Sequence, residues 1–221
     1  MTGFWEQART ITVRDLRLER RVGEVAWITV PFGAVSLLLI PLAVGADTPL
    51  LREIGPGLYW VIVMLFGVLI SVRRTATETP AQRDLLDLLG VDPAAAWVGR
   101  VLSSSAMLIL FEVVVGLAAV LLYDISLEGW WWLLLIVPLA AVGLGAMGAI
   151  AGAVTASLNT SVALVPLVVA PLAVPLLLGA TEGMDSIQTV SGILPWILLM
   201  VVVDLVLAIA GVLSARPLQE T

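Results

Sequence analysis

Six long apolar stretches limit what this chain can become: residues 25–44, 55–72, 99–123, 130–154, 161–180 and 194–213. About 20 apolar residues carry an α-helix across the hydrocarbon core of a bilayer. With 60% hydrophobic and 13% charged residues and a mean hydropathy of +1.08, the chain holds more apolar side chains than a water-soluble core can use. The expected class is an all-α integral membrane protein with six transmembrane helices. The 24-residue head carries five arginines and four acids. A cleavable signal has a short basic head and a shorter apolar run, so residues 25–44 read as a retained span. Trp130-Trp131-Trp132, Tyr59-Trp60 and Trp196 stand near span starts, as interfacial aromatic anchors do.

Arginine placement orients these spans. Arg9, Arg14, Arg17, Arg20 and Arg21 lie in the head, Arg73, Arg74, Arg83 and Arg100 in the second connection, and Arg216 in the tail. The first, third and fifth connections hold only Arg52 among them, beside Asp47, Glu53, Asp124, Glu128, Glu182 and Asp185. The positive-inside rule then puts both termini and residues 73–100 in the cytoplasm. The expected division is a cytoplasmic amphipathic helix in 1–24, a six-span domain over 25–213 with a short helix at about 79–90, and a tail over 214–221.

Missing residue types exclude several chemistries. There is no cysteine, histidine or lysine, and all 11 basic residues are arginine. A phosphate-cradling GxxxxGK[ST] loop, a lysine Schiff base and His/Cys zinc sites therefore cannot form. A net charge of −6 disfavours nucleic acid as a partner. No nucleophile–base pair stands out to suggest an enzyme. If ATP drives this protein, another chain supplies the nucleotide site.

Set on a helix, residues 4–22 place Phe4, Trp5, Ala8, Ile11, Leu16, Leu18 and Val22 on one half. The five arginines fall within roughly 140° of arc on the other half. That pattern describes a helix lying among headgroups, with its arginines meeting anionic lipid. Asp15 and Glu19 sit one turn apart on the apolar half, where acyl chains would penalise them, so a protein contact is expected there. A lever beside a partner subunit is the sharper reading.

In the second connection, Thr79-Pro80-Ala81-Gln82 fits a helix start and Gly90 a helix stop. Between them Leu85, Leu86, Leu88 and Leu89 alternate with Arg83, Asp84 and Asp87. Asp92-Pro93 then caps the helix that enters the third span. A helix of about ten residues is not stable alone. Its leucines pack either on the membrane and this chain's own helices or in a groove on another protein. In ABC transporters a coupling helix of this kind receives motion from a separate ATPase, and the absence of lysine favours that reading.

Glu112 and Asp204 lie inside the third and sixth spans, with no basic residue at that depth. Intramembrane carboxylates are costly and mark functional candidates. Their candidate partners are a proton, water, backbone, Ser103–Ser105 or another subunit. Glu112 reads equally as a structural hydrogen-bonding group or as lining a substrate or subunit face, and Asp204 more as structural. Gly148 and Gly152 form a close-packing pair in the fourth span. Pro166, Pro171 and Pro175 predict a bent or broken fifth span, followed by a short re-entrant piece near 184–193.

In order, Arg14-Asp15-Leu16-Arg17-Leu18-Glu19, Gly55-Pro56-Gly57-Leu58-Tyr59-Trp60, the run from Leu85-Leu86 through Pro93 to Arg100, the small-residue fourth span, Leu164-Val165-Pro166-Leu167 to Pro175-Leu176-Leu177, and Asp204-Leu205 resemble one family over nearly the whole chain. It is the CcmB family, the membrane (permease) subunit of the haem ABC exporter of cytochrome c maturation. The resemblance implies an ABC-2-like exporter fold in a bacterial inner membrane. It also implies a partner ABC ATPase holding ATP and magnesium, a haem-handling membrane subunit, a small accessory membrane protein and a haem chaperone. Haem iron usually takes His, Cys, Met or Tyr. Two of those types are absent here, so haem is expected in partner subunits and no cofactor in this chain. Three rivals stay open: an ABC-2 permease for a drug, lipid or polysaccharide, a non-transporting scaffold of the same complex, and an ion-coupled carrier using Glu112 and Asp204.

Overall fold

The computed structural model describes residues 3–23, 25–45, 48–77, 88–125, 129–157, 165–188 and 192–215. These form seven helices: α1 (Phe4–Val22), α2 (Val30–Val44), α3 (Thr48–Thr77), α4 (Pro93–Tyr123), α5 (Leu133–Ser157), α6 (Val165–Gln188) and α7 (Leu194–Ala215). A π-helical turn, Val25–Thr29, leads into α2, and a 3₁₀ turn, Trp130–Trp132, leads into α5.

Local chemistry sets several ends. In α1, Glu6 stands in the first turn and Arg20 and Arg21 in the last, each opposing the helix dipole. Gly23 stops the helix at φ 69°, a left-handed conformation open to glycine, and its N–H returns to the Glu19 carbonyl. Asp92 caps α4 as its sequence predicts: its side chain accepts from the Ala94 N–H and Pro93 takes the first helical position.

Elsewhere apolar surroundings override the breakers. The helix α3 runs through Pro56 and starts ahead of residue 55, and α6 runs unbroken through Pro171 and Pro175 to Gln188. Of the two expected shapes for the fifth span, bent or broken, the break does not occur: over Val165–Gln188 it is one continuous helix, and residues 184–188 extend it rather than re-enter. Leaving the helix would expose several backbone groups in place of the single donor that each proline removes.

Side-chain contacts orient the bundle. Thr12 of α1 meets Gly99 of α4, and Trp97 covers Gly211 of α7, at one end. At the other, Arg52 pairs with Asp124, the Tyr123 hydroxyl donates to the Leu37 carbonyl at 2.9 Å, and Gly183 faces Trp196. The helices α2 to α7 therefore alternate in direction, and the N-terminus, the start of α4 and the end of α7 share one end.

Among the described residues, five helical segments are long and apolar enough to cross a membrane: Trp27–Val44, Thr48–Ile70, Pro93–Tyr123, Trp130–Val154 and Leu194–Ala215. Half of the α3 and α5 segments is buried within the bundle, against 22% for α2 and α7, which leaves the latter pair their apolar surface for lipid. At the centre α5 touches α3, α4, α6 and α7 through small residues. A Cβ on Gly145 would lie 2.9 Å from the Ser105 Oγ of α4, so glycine lets these two helices approach closely.

Candidate functional site

Polar side chains gather in two places, the junction of α1 with the start of α4 and the interior of the bundle. At the junction, Ala8, Ile11 and Asp15 recur every three or four residues, which puts them on one face. All three are buried, and α1 lies on α4. Gly99 makes the approach possible, since a Cβ there would stand 2.8 Å from the Ala8 carbonyl oxygen and 2.9 Å from the Ile11 Cβ. Three polar contacts follow the seam. The Gln7 Oε1 accepts from the Asp92 N–H at 2.9 Å, and the Thr12 hydroxyl, 2.9 Å from the Ala8 carbonyl of its own helix, also lies 3.1 Å from the Gly99 carbonyl. The Ser103 hydroxyl, 3.0 Å from the Arg100 carbonyl of its own helix, stands 3.4 Å from Asp15 Oδ2.

Asp15 also accepts from Arg14, at 3.1 Å from Nε and 3.0 Å from Nη2. Its protein surroundings are therefore supplied by this chain, while Glu19 is half-buried. All five arginines of α1 are exposed. The middle of the apolar stripe rests on α4, which leaves Phe4, Trp5, Leu18 and Val22 exposed toward its ends. Sequence reasoning passed over Gln7, Thr12 and Gly99. The signal that points to them is the small-residue run at the start of α4, where Ala94, Ala95, Ala96 and Gly99 are all buried.

Inside the bundle the Tyr59 hydroxyl of α3 donates to the Glu112 carbonyl at 3.1 Å. The Glu112 side chain is 0% exposed, and neither carboxylate oxygen has a hydrogen-bond partner among the described residues. Asp204, 9% exposed, is likewise without a donor. Its room comes from Gly143, where a Cβ would stand 2.5 Å from Oδ1. Ser103 and Ser105, among the candidate partners for these acids, are engaged elsewhere, Ser103 with the Arg100 carbonyl at 3.0 Å and Ser105 with the Val101 carbonyl at 2.8 Å. Gly148 and Gly152 are buried in α5. Among the described residues no group of three or more acids could hold a metal ion.

The expected docking residues Arg83, Asp84, Leu85, Leu86 and Asp87 lie outside the described residues, as does the helix start at 79–82. Directly after them Leu88 and Leu89 are 85% and 69% exposed, and Gly90 turns the chain at φ 68°. Leu89, the last docking candidate, is thus an uncovered leucine three residues before Asp92, which α1 holds.

A bundle of long apolar helices with an amphipathic helix fastened across the entry to one of them defines a multi-pass helical membrane protein. The chain belongs to the family described as CcmB protein, which it matches over residues 6–218. It is 33% identical over 203 residues to heme exporter protein B of Pseudomonas aeruginosa, covering 85% of this chain and 86% of that one. Over 182 residues it is 29% identical to heme exporter protein B of Haemophilus influenzae, covering 80% of each. The protein of the same name from Paracoccus denitrificans is 29% identical over 178 residues, 79% of this chain and 81% of the other.

Proposed function

We propose that this chain is the membrane subunit of an ATP-driven haem exporter complex serving cytochrome c biogenesis, and that it couples a separate ATPase to the rest of that complex. The observation that carries the reading is similarity along nearly the full chain to proteins named heme exporter protein B. The absence of lysine supports a partner as the source of ATP and magnesium binding. Six spans in a bacterial inner membrane, both termini cytoplasmic and an ABC-2-like arrangement complete the picture. The shared end of the N-terminus, the start of α4 and the end of α7 agrees with it. Arg83, Asp84, Leu85, Leu86, Asp87 and Leu89 dock the ATPase, and a haem-handling subunit, a small accessory protein and a haem chaperone are the other partners.

A force-transmitting scaffold without its own haem path is the second reading; the enclosure of Glu112 within this chain fits the lack of a path lined by that carboxylate, though not a place for Glu112 at a subunit interface. Deleting the gene tests the biogenesis role: c-type cytochromes disappear, and their persistence overturns it. Passage of haem through vesicles holding the chain and its ATPase, with no haem-handling subunit, excludes the scaffold.

A further inference from the structure

Pro41 stands inside α2, four residues after Leu37. Proline carries no backbone N–H, so the Leu37 carbonyl lacks its α-helical partner and the helix is weakened at that turn. A carbonyl in the apolar part of a bilayer has no water to turn to and needs a donor from protein. The Tyr123 hydroxyl is that donor, at 2.9 Å, from the last residue of α4. Leu37 and Tyr123 are both 0% exposed. The chain's other tyrosine makes the same kind of bond with a different weight. Tyr59 donates to the Glu112 carbonyl, but Gly116, four residues further along α4, keeps its N–H, so that carbonyl also has a partner in its own helix.

The side chain that supplies the Leu37 bond is firmly placed, while the helix that receives it is held on one side only. A Cβ on Gly55 of α3 would stand 3.0 Å from the Tyr123 Cβ, so glycine there admits the tyrosine beside α3. Asp124, the next residue, pairs with Arg52 of α3. Before Leu37, Gly33 packs against Phe111 and Val115 of α4. Past Pro41, Leu42, Ala43 and Val44 are exposed, and α2 ends at Gly45 with φ 83°.

We propose that Pro41 and Tyr123 form a hinge and its latch. The hydroxyl stands in for the missing N–H, and Tyr123 is the positioning residue that keeps the last turn of α2 in line with the rest of the helix. Breaking this single bond lets residues 42–45 pivot at Pro41, while the turns before Leu37 stay on α4. The hinge lies at the end of the bundle opposite the N-terminus. The inference goes beyond the functional reading above and needs neither the ATPase nor haem.

The test uses the full chain in nanodiscs and compares melting temperatures of the wild type, Tyr123→Phe, Pro41→Ala and the double variant. Tyr123→Phe should lower the melting temperature of the wild type, because it leaves a buried carbonyl without a donor. The same change should lower it much less in Pro41→Ala, where the helical N–H has returned. Tyr59→Phe, whose carbonyl keeps its helical partner, should lower it less than Tyr123→Phe. A spin label then locates the motion. The chain has no cysteine, so Ala43→Cys and Val35→Cys, both at exposed positions, each carry one label without background. Tyr123→Phe should raise the mobility of the label at 43 and leave the label at 35 unchanged. In Pro41→Ala/Tyr123→Phe the label at 43 should move as in the wild type. Equal effects of Tyr123→Phe in the wild type and in Pro41→Ala overturn the pairing of the two residues, as does a Tyr59→Phe effect as large as that of Tyr123→Phe. Mobility at 43 that ignores Tyr123→Phe, or that rises equally at 35, overturns the hinge.

Discussion

Single residues decide how closely these helices meet. A methyl group on Gly99 would meet the Ala8 backbone oxygen at 2.8 Å, and backbone cannot yield as a flexible side chain can. Overpacking of this kind costs about 1–3 kcal/mol in soluble cores. Gly99→Ala should therefore loosen α1, and trypsin, which cuts after arginine, should cleave at Arg9 to Arg21 faster in detergent than in the wild type. Gly143 makes the same kind of room for a charge-bearing group. Gly143→Ala should lower the melting temperature, and Gly143→Ala/Asp204→Ala should recover part of the loss, because the second change removes the Oδ1 that the new methyl meets. Additive effects in that cycle would show that the two residues do not share the space. Glu112 poses the complementary case, a buried carboxyl without a donor among the described residues. An apolar residue of similar shape can replace a polar group whose partners are absent without loss. Glu112→Met should therefore melt no lower than wild type, whatever it does to activity, and a lower melting point would reveal a partner for the carboxyl.

At the scale of the helix, some ends are written locally and others depend on surroundings. The α1 helix spans the same residues, 4–22, that its apolar–basic pattern marks out, and Asp92-Pro93 caps α4 as expected from its own chemistry. Both are decided within one turn. Pro171 and Pro175 are breakers by their own chemistry, yet α6 passes through them because apolar neighbours leave its backbone no better partner than itself. The extension of α6 to Gln188, across Glu182 and Asp185, was illegible for a similar reason: acids mark a span's end only where the helix also ends. Pro171→Ala and Pro175→Ala should accordingly preserve the helix and raise the melting temperature, since each restores a backbone donor and removes a ring clash. A fall would mean that the prolines hold a shape that alanine cannot. The α1–α4 seam was hidden as well. Asp15 announced that protein lay nearby, but only the backbone path brings Gly99 beneath Ala8.

For the whole molecule, the central claim is that energy enters through another chain. The lysine-free sequence and the exposed Leu88 and Leu89 beside the α1–α4 seam both bear on it. The most direct measurement is purification of the tagged chain from native membranes in mild detergent, comparing wild type with Leu85→Asp/Leu86→Asp. The account predicts that an ATPase and a haem-handling membrane protein co-purify with the wild type. It predicts that the double variant, equally folded by melting temperature, loses the ATPase. Recovery of the wild-type chain alone, or undiminished ATPase on the double variant, would contradict it.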